Sequence, residues 1–430
     1  MSRRLRTERA RARGLATALA PGLAATLALG LAAARARGLA TALARACAAV
    51  LALGVVAALG VAPAPAAAAP FDYALTARPE QAGARQFEVA VDAMNDTLDV
   101  FDIRGRDPVY GGTNVGDYTG AHLRGGWKLA ERWWIDAALW RRKIEYRNDS
   151  GSLTSWQLAA QYRFAGDAGD VGGGSSGATA TAAGPTGGAT AWALRGSVWG
   201  NRSGTLDKRS PTALAGYTMD SVAIDSPRDL QWQFDVIATR GGADASVSGF
   251  VGIQRGKVDY SRLSGTATAG TCPYAVAFGD STTVLTQTAD CTGSGGTLAA
   301  GTQVTVDNSA LGLNPRDALA YTATVLRAGV NAHKRWGAWQ LRGGLAYEHH
   351  DRGNALEDAA QSLSGTYESG NLSAALELGY RFTPTLTGFV RGTAWQHQLM
   401  GEVPFLYNAV TARRSDRRYG IVSVGVSASF

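Results

Sequence analysis

The chain has 430 residues and a formal net charge of +7 at pH 7, which suggests a basic protein. The excess of positive charge, however, is confined to residues 1–69, which contain nine Arg, no Lys and one Glu. Subtracting these from the chain's 42 basic and 35 acidic residues leaves 33 and 34, which nearly cancel. The basic pI therefore gives no reason to expect a nucleic-acid-binding protein.

Residues 1–69 have the order of a secretory signal peptide. An Arg-containing region is followed by the apolar run 48–61 and by an Ala- and Pro-rich stretch that ends at Ala69. The run is shorter than the roughly 20 residues that a membrane-spanning helix needs, which favours a cleaved signal over an anchor. A lipid anchor at Cys47 is disfavoured, because this residue precedes the apolar run. We expect cleavage near Ala69.

Beyond residues 70–85, which show no clear period, the chain repeats one pattern twelve times. Apolar and polar residues alternate with a period of two, as in a β-strand with one apolar and one polar face. Most of these stretches have the length of a tilted transmembrane strand, about 9–11 residues. The predicted strands are 86–93, 118–129, 133–146, 153–164, 192–201, 230–239, 244–255, 318–332, 337–349, 372–382, 386–397 and 418–430.

The last predicted strand points to a family. Its apolar set ends on the C-terminal Phe430, and its opposite face carries Ser and Gly. In this it resembles the outer-membrane β-barrel proteins of Gram-negative bacteria, whose final strand typically ends in Phe and is read by the barrel assembly machinery. The resemblance implies an all-β, porin-like fold, a closed antiparallel transmembrane β-barrel, here of about 12 strands, integral to the outer membrane. A soluble β-sandwich or propeller is the alternative.

The connections between the predicted strands sort by side. Those on the side of the C-terminus are tight except for 165–189, namely 130–132, 240–243, 333–336 and 383–385. The other side has the long segments 95–116, 202–228, 262–316, 351–370 and 399–417, and one short connection, 147–152. Short periplasmic turns and long extracellular loops are expected of an outer-membrane barrel. We therefore predict a signal peptide (1–69), a short periplasmic lead segment (70–85) and a barrel (86–430).

The predicted topology places both ends of the barrel in the periplasm, because the number of strands is even. The last strand is expected to pair with the strand 86–93, since closure removes both sheet edges. Aromatic residues should form a girdle at the periplasmic end. Those predicted there are Trp127, Trp133, Trp339, Tyr380, Phe382 and Phe430.

Charged residues occupy the polar face of several predicted strands and are candidates for lining the lumen. They are Arg124, Asp136, Arg142, Arg163, Arg195, Asp235, Arg342, Glu377, Arg381 and Arg391. Folding the hairpins about Pro384 and Ala130 sets Glu377 opposite Arg391 and Arg124 opposite Asp136, so that opposite charges pair across neighbouring strands. Such pairs either stabilise a narrow barrel or contact ions in a pore, where Arg selects for anions.

Two cysteines, Cys272 and Cys291, lie in the longest predicted loop, 262–316. In an exported chain, two thiols at this spacing favour a disulfide that closes a surface loop. A metal-binding pair is the alternative, but no His or further Cys is nearby.

Polar groups at the predicted extracellular rim carry the alternative of an enzyme. Surface proteases of the omptin type use Asp and His at this rim, where this chain has His349, His350 and His397, but no matching Asp pair is found. Asn95, Asp96 and Thr119 resemble the Asn-Asp pair and hydroxyl of the twelve-stranded lipid A deacylases, without that family's His context. We assign no catalytic residue, cofactor or metal site.

The predicted function is that of a narrow passive channel, porin-like, for small polar solutes or ions. Twelve strands leave less interior width than the 16–18 strands of large porins. A structural or adhesive surface barrel and a lipid-modifying enzyme are the alternatives. The expected partners are outer-membrane lipids and lipopolysaccharide, the barrel assembly machinery and small polar solutes, with no nucleic acid.

Overall fold

The computed structural model describes residues 73–93, 115–146, 149–166, 190–209, 212–214, 217–293, 296–309, 320–352, 369–396 and 419–430. A turn of 3-10 helix, Pro79–Ala82, precedes the strands. No helix in these ranges is long and apolar enough to cross a membrane. The strands are β1 (Arg85–Ala93), β2 (Val115–Lys128), β3 (Trp133–Tyr146), β4 (Asp149–Ala165), β5 (Ala191–Ser203), β6 (Leu206–Lys208), β7 (Thr212–Leu214), β8 (Tyr217–Asp225), β9 (Arg228–Gly241), β10 (Ala245–Asp259), β11 (Arg262–Ala269), β12 (Cys272–Phe278), β13 (Thr282–Gln287), β14 (Cys291–Gly293), β15 (Gly296–Leu298), β16 (Gln303–Asp307), β17 (Thr322–Trp336), β18 (Trp339–Asp351), β19 (Gly370–Arg381), β20 (Leu386–Trp395) and β21 (Tyr419–Ser429).

Twelve of these strands close into one antiparallel barrel. Their order is β1-β2-β3-β4-β5-β9-β10-β17-β18-β19-β20-β21, and β21 pairs back onto β1 with Gln86 opposite Ser429 and Ala93 opposite Val422. Each barrel strand matches one predicted strand. Closure pairs both edges of the sheet, as a membrane-spanning sheet requires. The predicted closed barrel of 12 strands is therefore confirmed.

The two faces of the barrel wall differ in polarity, and β9 shows the difference clearly. Leu230, Trp232 and Phe234 are exposed on the outside, whereas the residue after each of them, Gln231, Gln233 or Asp235, is buried inside. Ten residues that rise about 3.3 Å each on a strand tilted by about 40° cover about 25 Å of height. The apolar outer band thus has the thickness of the hydrocarbon layer that a transmembrane barrel must cross.

Aromatic side chains gather at the end of the barrel that holds the short turns. The ring centroids of Trp339 and Tyr380 are 4.9 Å apart, and those of Tyr380 and Phe382 are 5.5 Å apart. Trp133 and Phe430 are exposed at the same end. This is the arrangement of an interfacial aromatic girdle, and it marks the periplasmic boundary of the membrane.

The turn predicted at 333–336 is displaced along the chain. β17 continues through Trp336, and the chain reverses at Gly337 and Ala338, so that Trp336 stands opposite Trp339. Gly337 has a φ of +56°, a conformation that tight two-residue hairpins require and that Gly adopts without steric cost. The polar residues 333–335, read as a turn, belong to the strand at the membrane boundary.

The segments 202–228 and 262–316, predicted as loops, contain a second sheet, and the prediction was wrong in this respect. β6, β7, β8, β11, β12, β13 and β16 form this extracellular sheet, in which β8 pairs with β11. It continues the barrel wall, since Arg202 opposite Arg228 is followed by Leu206 opposite Ile224 in the same register. Its apolar core is small and is built around Met219.

The predicted disulfide between Cys272 and Cys291 is confirmed, with a Cα–Cα distance of 5.3 Å. It joins the start of β12 to β14, which forms a separate two-stranded hairpin with β15. The disulfide therefore fastens this hairpin to the extracellular sheet.

Candidate functional site: a plugged lumen

A stretch of chain before β1 lies inside the barrel. Residues 73–82 are called the plug segment below. Gln161 on β4 donates a hydrogen bond to the Thr76 carbonyl (2.9 Å), and Asn331 on β17 donates one to the Leu75 carbonyl (2.8 Å). The Ala77 amide donates to the hydroxyl of Thr239 on β9 (2.7 Å). The sequence predicted only a short periplasmic lead at 70–85. In the structure, the plug segment is instead hydrogen-bonded to side chains on the inner face of several barrel strands.

An apolar cluster anchors the middle of the plug segment. Leu75 and Ala77 are buried against inward-facing residues of the barrel wall. These wall residues are Ala191, Ala193, Ile237, Phe250 and Ala346. Large apolar side chains facing a water-filled lumen would be costly, so Ile237 and Phe250 indicate that something covers them. This was the signal in the sequence that could have pointed to the plug segment.

Polar contacts hold the other end of the plug segment at the periplasmic rim. The Arg78 guanidinium donates to the carbonyls of Gly166 (2.8 Å) and Gly241 (3.2 Å). Glu80 forms an ion pair with Arg163, one of the predicted lumen residues. The 3-10 turn and Gly83 then redirect the chain into β1. The plug segment therefore extends from mid-lumen to the rim.

A chain of charges across the wall holds the inner end of the plug segment. The Tyr73 hydroxyl donates to Glu377 on β19 (2.8 Å). Arg391 on β20 donates to Glu377 (2.7 Å) and to Glu88 on β1 (2.8 Å). His122 contacts both Glu88 (3.1 Å) and Asp92 (3.0 Å). The predicted pairing of Glu377 with Arg391 is confirmed by the register as well.

The predicted pair of Arg124 with Asp136 is wrong by two positions. Lys128 stands opposite Trp134, so the chain reverses one residue later than assumed, and Arg124 faces Ala138 on β3. Asp136 instead binds the Arg195 guanidinium through both carboxylate oxygens, one of them at 2.8 Å.

The other predicted lumen residues lie at different heights along the wall. Asp235 is buried 3.6 Å from Arg327, and Arg342 lies 3.7 Å from Glu377. Arg142 is buried, with its guanidinium 5.5 Å from the ring centroid of Trp140. Arg381 lies at the periplasmic rim, where it donates to the Gly337 carbonyl (2.9 Å).

The rim residues that carry the alternative of an enzyme are not brought together in the described residues. His349 faces the outside, whereas His350 is buried on the inner face, 3.3 Å from Glu348, with Arg352 donating to its Nδ1 (3.0 Å). Asn95, Asp96 and His397 lie outside the described residues, and Thr119 belongs to β2. Among the residues that the structure describes, no three or more His, Cys, Asp or Glu are placed to hold a metal ion.

A cavity of about 230 Å³ remains between the plug segment and the periplasmic half of the wall. The charged residues around it are mostly cationic. They are Arg78, Arg124, Arg195, Arg335, Arg342 and Arg381, against Glu88 and Asp136. Fixed positive charge in a concave site attracts small anions.

Comparison with known proteins finds similarity at the level of the fold, among solved structures. No family model and no curated protein matches the chain. Among solved structures, the translocator domain of the autotransporter NalP from Neisseria meningitidis is similar at 13% identity and a TM-score of 0.37, covering 84% of this chain and 90% of that chain. The CymD monoaromatic hydrocarbon channel matches at 9% identity and a TM-score of 0.34 (83% and 93% covered). LpxR from Salmonella typhimurium matches at 8% identity and 0.35 (80% and 100%).

The location of the chain follows from its own surfaces. All its barrel strands are paired in a closed ladder, the outer face is apolar, and the inner face carries the charged networks. An aromatic girdle lies at the end with the short turns, and the strands are joined by the longer segments of the chain at the other end. These are the surfaces of a barrel that sits in a lipid bilayer. The chain is an integral β-barrel protein of the outer membrane.

Proposed function

We propose that this barrel is a narrow channel for small anionic solutes and that the plug segment closes it. The observation that carries the proposal is the cavity next to the plug segment. Six arginines and two carboxylates line this cavity. A solute that enters from the periplasmic end meets an excess of fixed positive charge. Rings of Arg confer anion preference on pores by the same electrostatic effect.

The way in which the plug segment is held supports a reversible closure. Its contacts are hydrogen bonds, the ion pair of Glu80 with Arg163 and a small apolar cluster around Leu75. Each such contact contributes about 1–3 kcal/mol. Undocking must break several of them together, so we expect a closed state that dominates, with rare openings.

Ion selectivity in planar bilayers tests the proposal. Under a KCl gradient, we expect the reversal potential of the open state to indicate chloride preference. Arg342→Gln and Arg381→Gln each remove a cavity charge and should move the reversal potential towards potassium. Arg240→Gln is the matched control, because Arg240 is exposed on the outside of the same end. Cation preference in the wild-type protein, or an equal shift in the control, contradicts the proposal.

A structural or adhesive surface barrel is the second candidate, and the extracellular sheet favours it. Seven strands project the wall beyond the membrane, and a disulfide fastens a further hairpin to it. Replacing residues 262–307 by a short turn should abolish adhesion of cells that display the barrel, if this is the function. The lipid-modifying alternative depends on Asn95 and Asp96. It would be excluded if lipid A from cells that express the protein had the same mass as lipid A from cells that do not.

A further inference from the structure

Six cations stand on the outer surface of the barrel wall just beyond the apolar band. They are Arg141, Lys143, Arg202, Arg228, Arg255 and Lys257, and are called the basic patch below; all six are exposed. They belong to β3, β5, β9 and β10, which together with β4 are consecutive in the barrel. With strands about 4.8 Å apart, the patch extends over roughly 19 Å of the circumference.

The height of the basic patch places it at the extracellular surface of the membrane. Arg202 stands ten residues after Trp192 on β5, and Arg255 stands ten residues after Ala245 on β10. Ten residues of a tilted strand cover about 25 Å, the height of the apolar band. On β10 the apolar Ile253 is the outward-facing residue directly below Arg255. The basic patch therefore lies level with lipid head groups.

The pairing of the strands brings like charges together in this patch. Arg202 stands directly opposite Arg228, an arrangement that is destabilising between neighbouring strands. Asp259 offers Arg228 one exposed ion pair at 3.3 Å. Within the described residues, Arg141, Arg202 and Arg255 form no ion pair. An anion from outside the protein would relieve this repulsion.

Among the residues that the structure describes, outward-facing cations at this height of the wall lie on one side of the barrel. Along one register row, Arg255 on β10 is followed by Thr324 on β17 and by Asp351 on β18. Lys and Arg side chains that only extend along the apolar band to place their charge at the membrane–water interface would be expected on all sides of the barrel. In the described part of the wall the cations stand on neighbouring strands, which is the arrangement that a localised ligand with several negative charges requires.

We propose that the basic patch binds the phosphate groups of lipopolysaccharide in the outer leaflet. The width of the patch fits a head group that carries more than one phosphate, and its position above the apolar Ile253 and Leu230 leaves the acyl chains against the apolar band. Each Lys or Arg near an anionic lipid surface adds its own contribution to the binding, and salt screens the attraction. This inference is independent of whether the lumen conducts.

Lipid titrations of the purified full-length barrel in zwitterionic detergent test the proposal. Native mass spectrometry would count bound diphosphoryl lipid A, monophosphoryl lipid A and phosphatidylglycerol. We expect diphosphoryl lipid A to bind most tightly. Each of Arg141→Gln, Arg202→Gln and Arg255→Gln should weaken its binding about fivefold, and the triple variant about 100-fold.

The matched control is the double variant Arg240→Gln/Lys334→Gln, which removes outward-facing cations at the periplasmic end. It should bind diphosphoryl lipid A as the wild-type protein does. Three results overturn the proposal: a triple variant with wild-type affinity, a control that loses as much affinity as the triple variant, or phosphatidylglycerol that binds as tightly as diphosphoryl lipid A. Heat-modifiable migration of every variant verifies that the barrel is folded.

Discussion

Leu75→Ala should loosen the plug segment while leaving the barrel wall intact. The Leu75 side chain is 4% exposed and is buried together with Ile237 and Phe250. Truncating a buried Leu to Ala costs at least about 2–3 kcal/mol. This cost falls on the docked state of the plug segment, because the wall residues are unchanged. Undocking should therefore become about 30- to 150-fold more frequent.

Hydrogen–deuterium exchange of the plug segment measures this change. The Ala77 amide is a suitable reporter, because its hydrogen bond to Thr239 exists only in the docked state. We expect its exchange to accelerate by the same factor as undocking. Leu129→Ala is the matched control, since Leu129 is 63% exposed at the rim. Wild-type exchange in Leu75→Ala, or equal acceleration in the control, would refute the assignment of Leu75 as the apolar anchor.

Three further predictions concern the charge network, the disulfide and the N-terminus. Glu377→Gln leaves Arg391 and Tyr73 without their shared anionic partner and should lower the free energy of unfolding in urea by about 3 kcal/mol. Glu131→Gln, in an exposed turn, is the control and should leave it unchanged. Equal urea midpoints for the two variants would argue against the network. Cys272→Ser should destabilise the extracellular sheet by about 3 kcal/mol, seen as faster proteolysis on intact cells with the barrel still heat-modifiable; unchanged proteolysis contradicts this. The intact mass of the exported protein should correspond to a chain that begins near Pro70, and a retained signal would contradict the predicted cleavage.

The barrel strands were predictable because one face of each must meet lipid and the other must not. That constraint produces a period of two over a whole strand, which β9 carries without interruption. The pairing of Glu377 with Arg391 was also predictable, because Pro384 marks the centre of its turn. No Gly or Pro marks the turn between β2 and β3, and a shift of one residue in its centre moved the partner of Asp136 by two positions.

The extracellular sheet and the plug segment could not be predicted from the same pattern. β11 is built largely from Thr, Ser, Gly and Ala, whose small difference in polarity gives no visible alternation. β13 has only six residues, and its two apolar residues, Val284 and Leu285, are adjacent rather than alternate. The plug segment buries only short stretches around Leu75, and its partners come from strands far away in the chain. Its charged wall contacts, such as Glu377, resemble ordinary lumen residues until the fold brings Tyr73 beside them.

Conductance with and without the plug segment tests the central claim most directly. A chain in which the signal is joined to Arg85 lacks residues 70–84 but keeps every barrel strand. In planar bilayers we expect steady openings from this variant, rare openings from the full-length protein and an intermediate frequency from Tyr73→Phe. Tyr347→Phe on the outer face is the matched control and should behave as the wild-type protein. A folded, heat-modifiable barrel without residues 70–84 that conducts no more than the full-length protein would contradict the account.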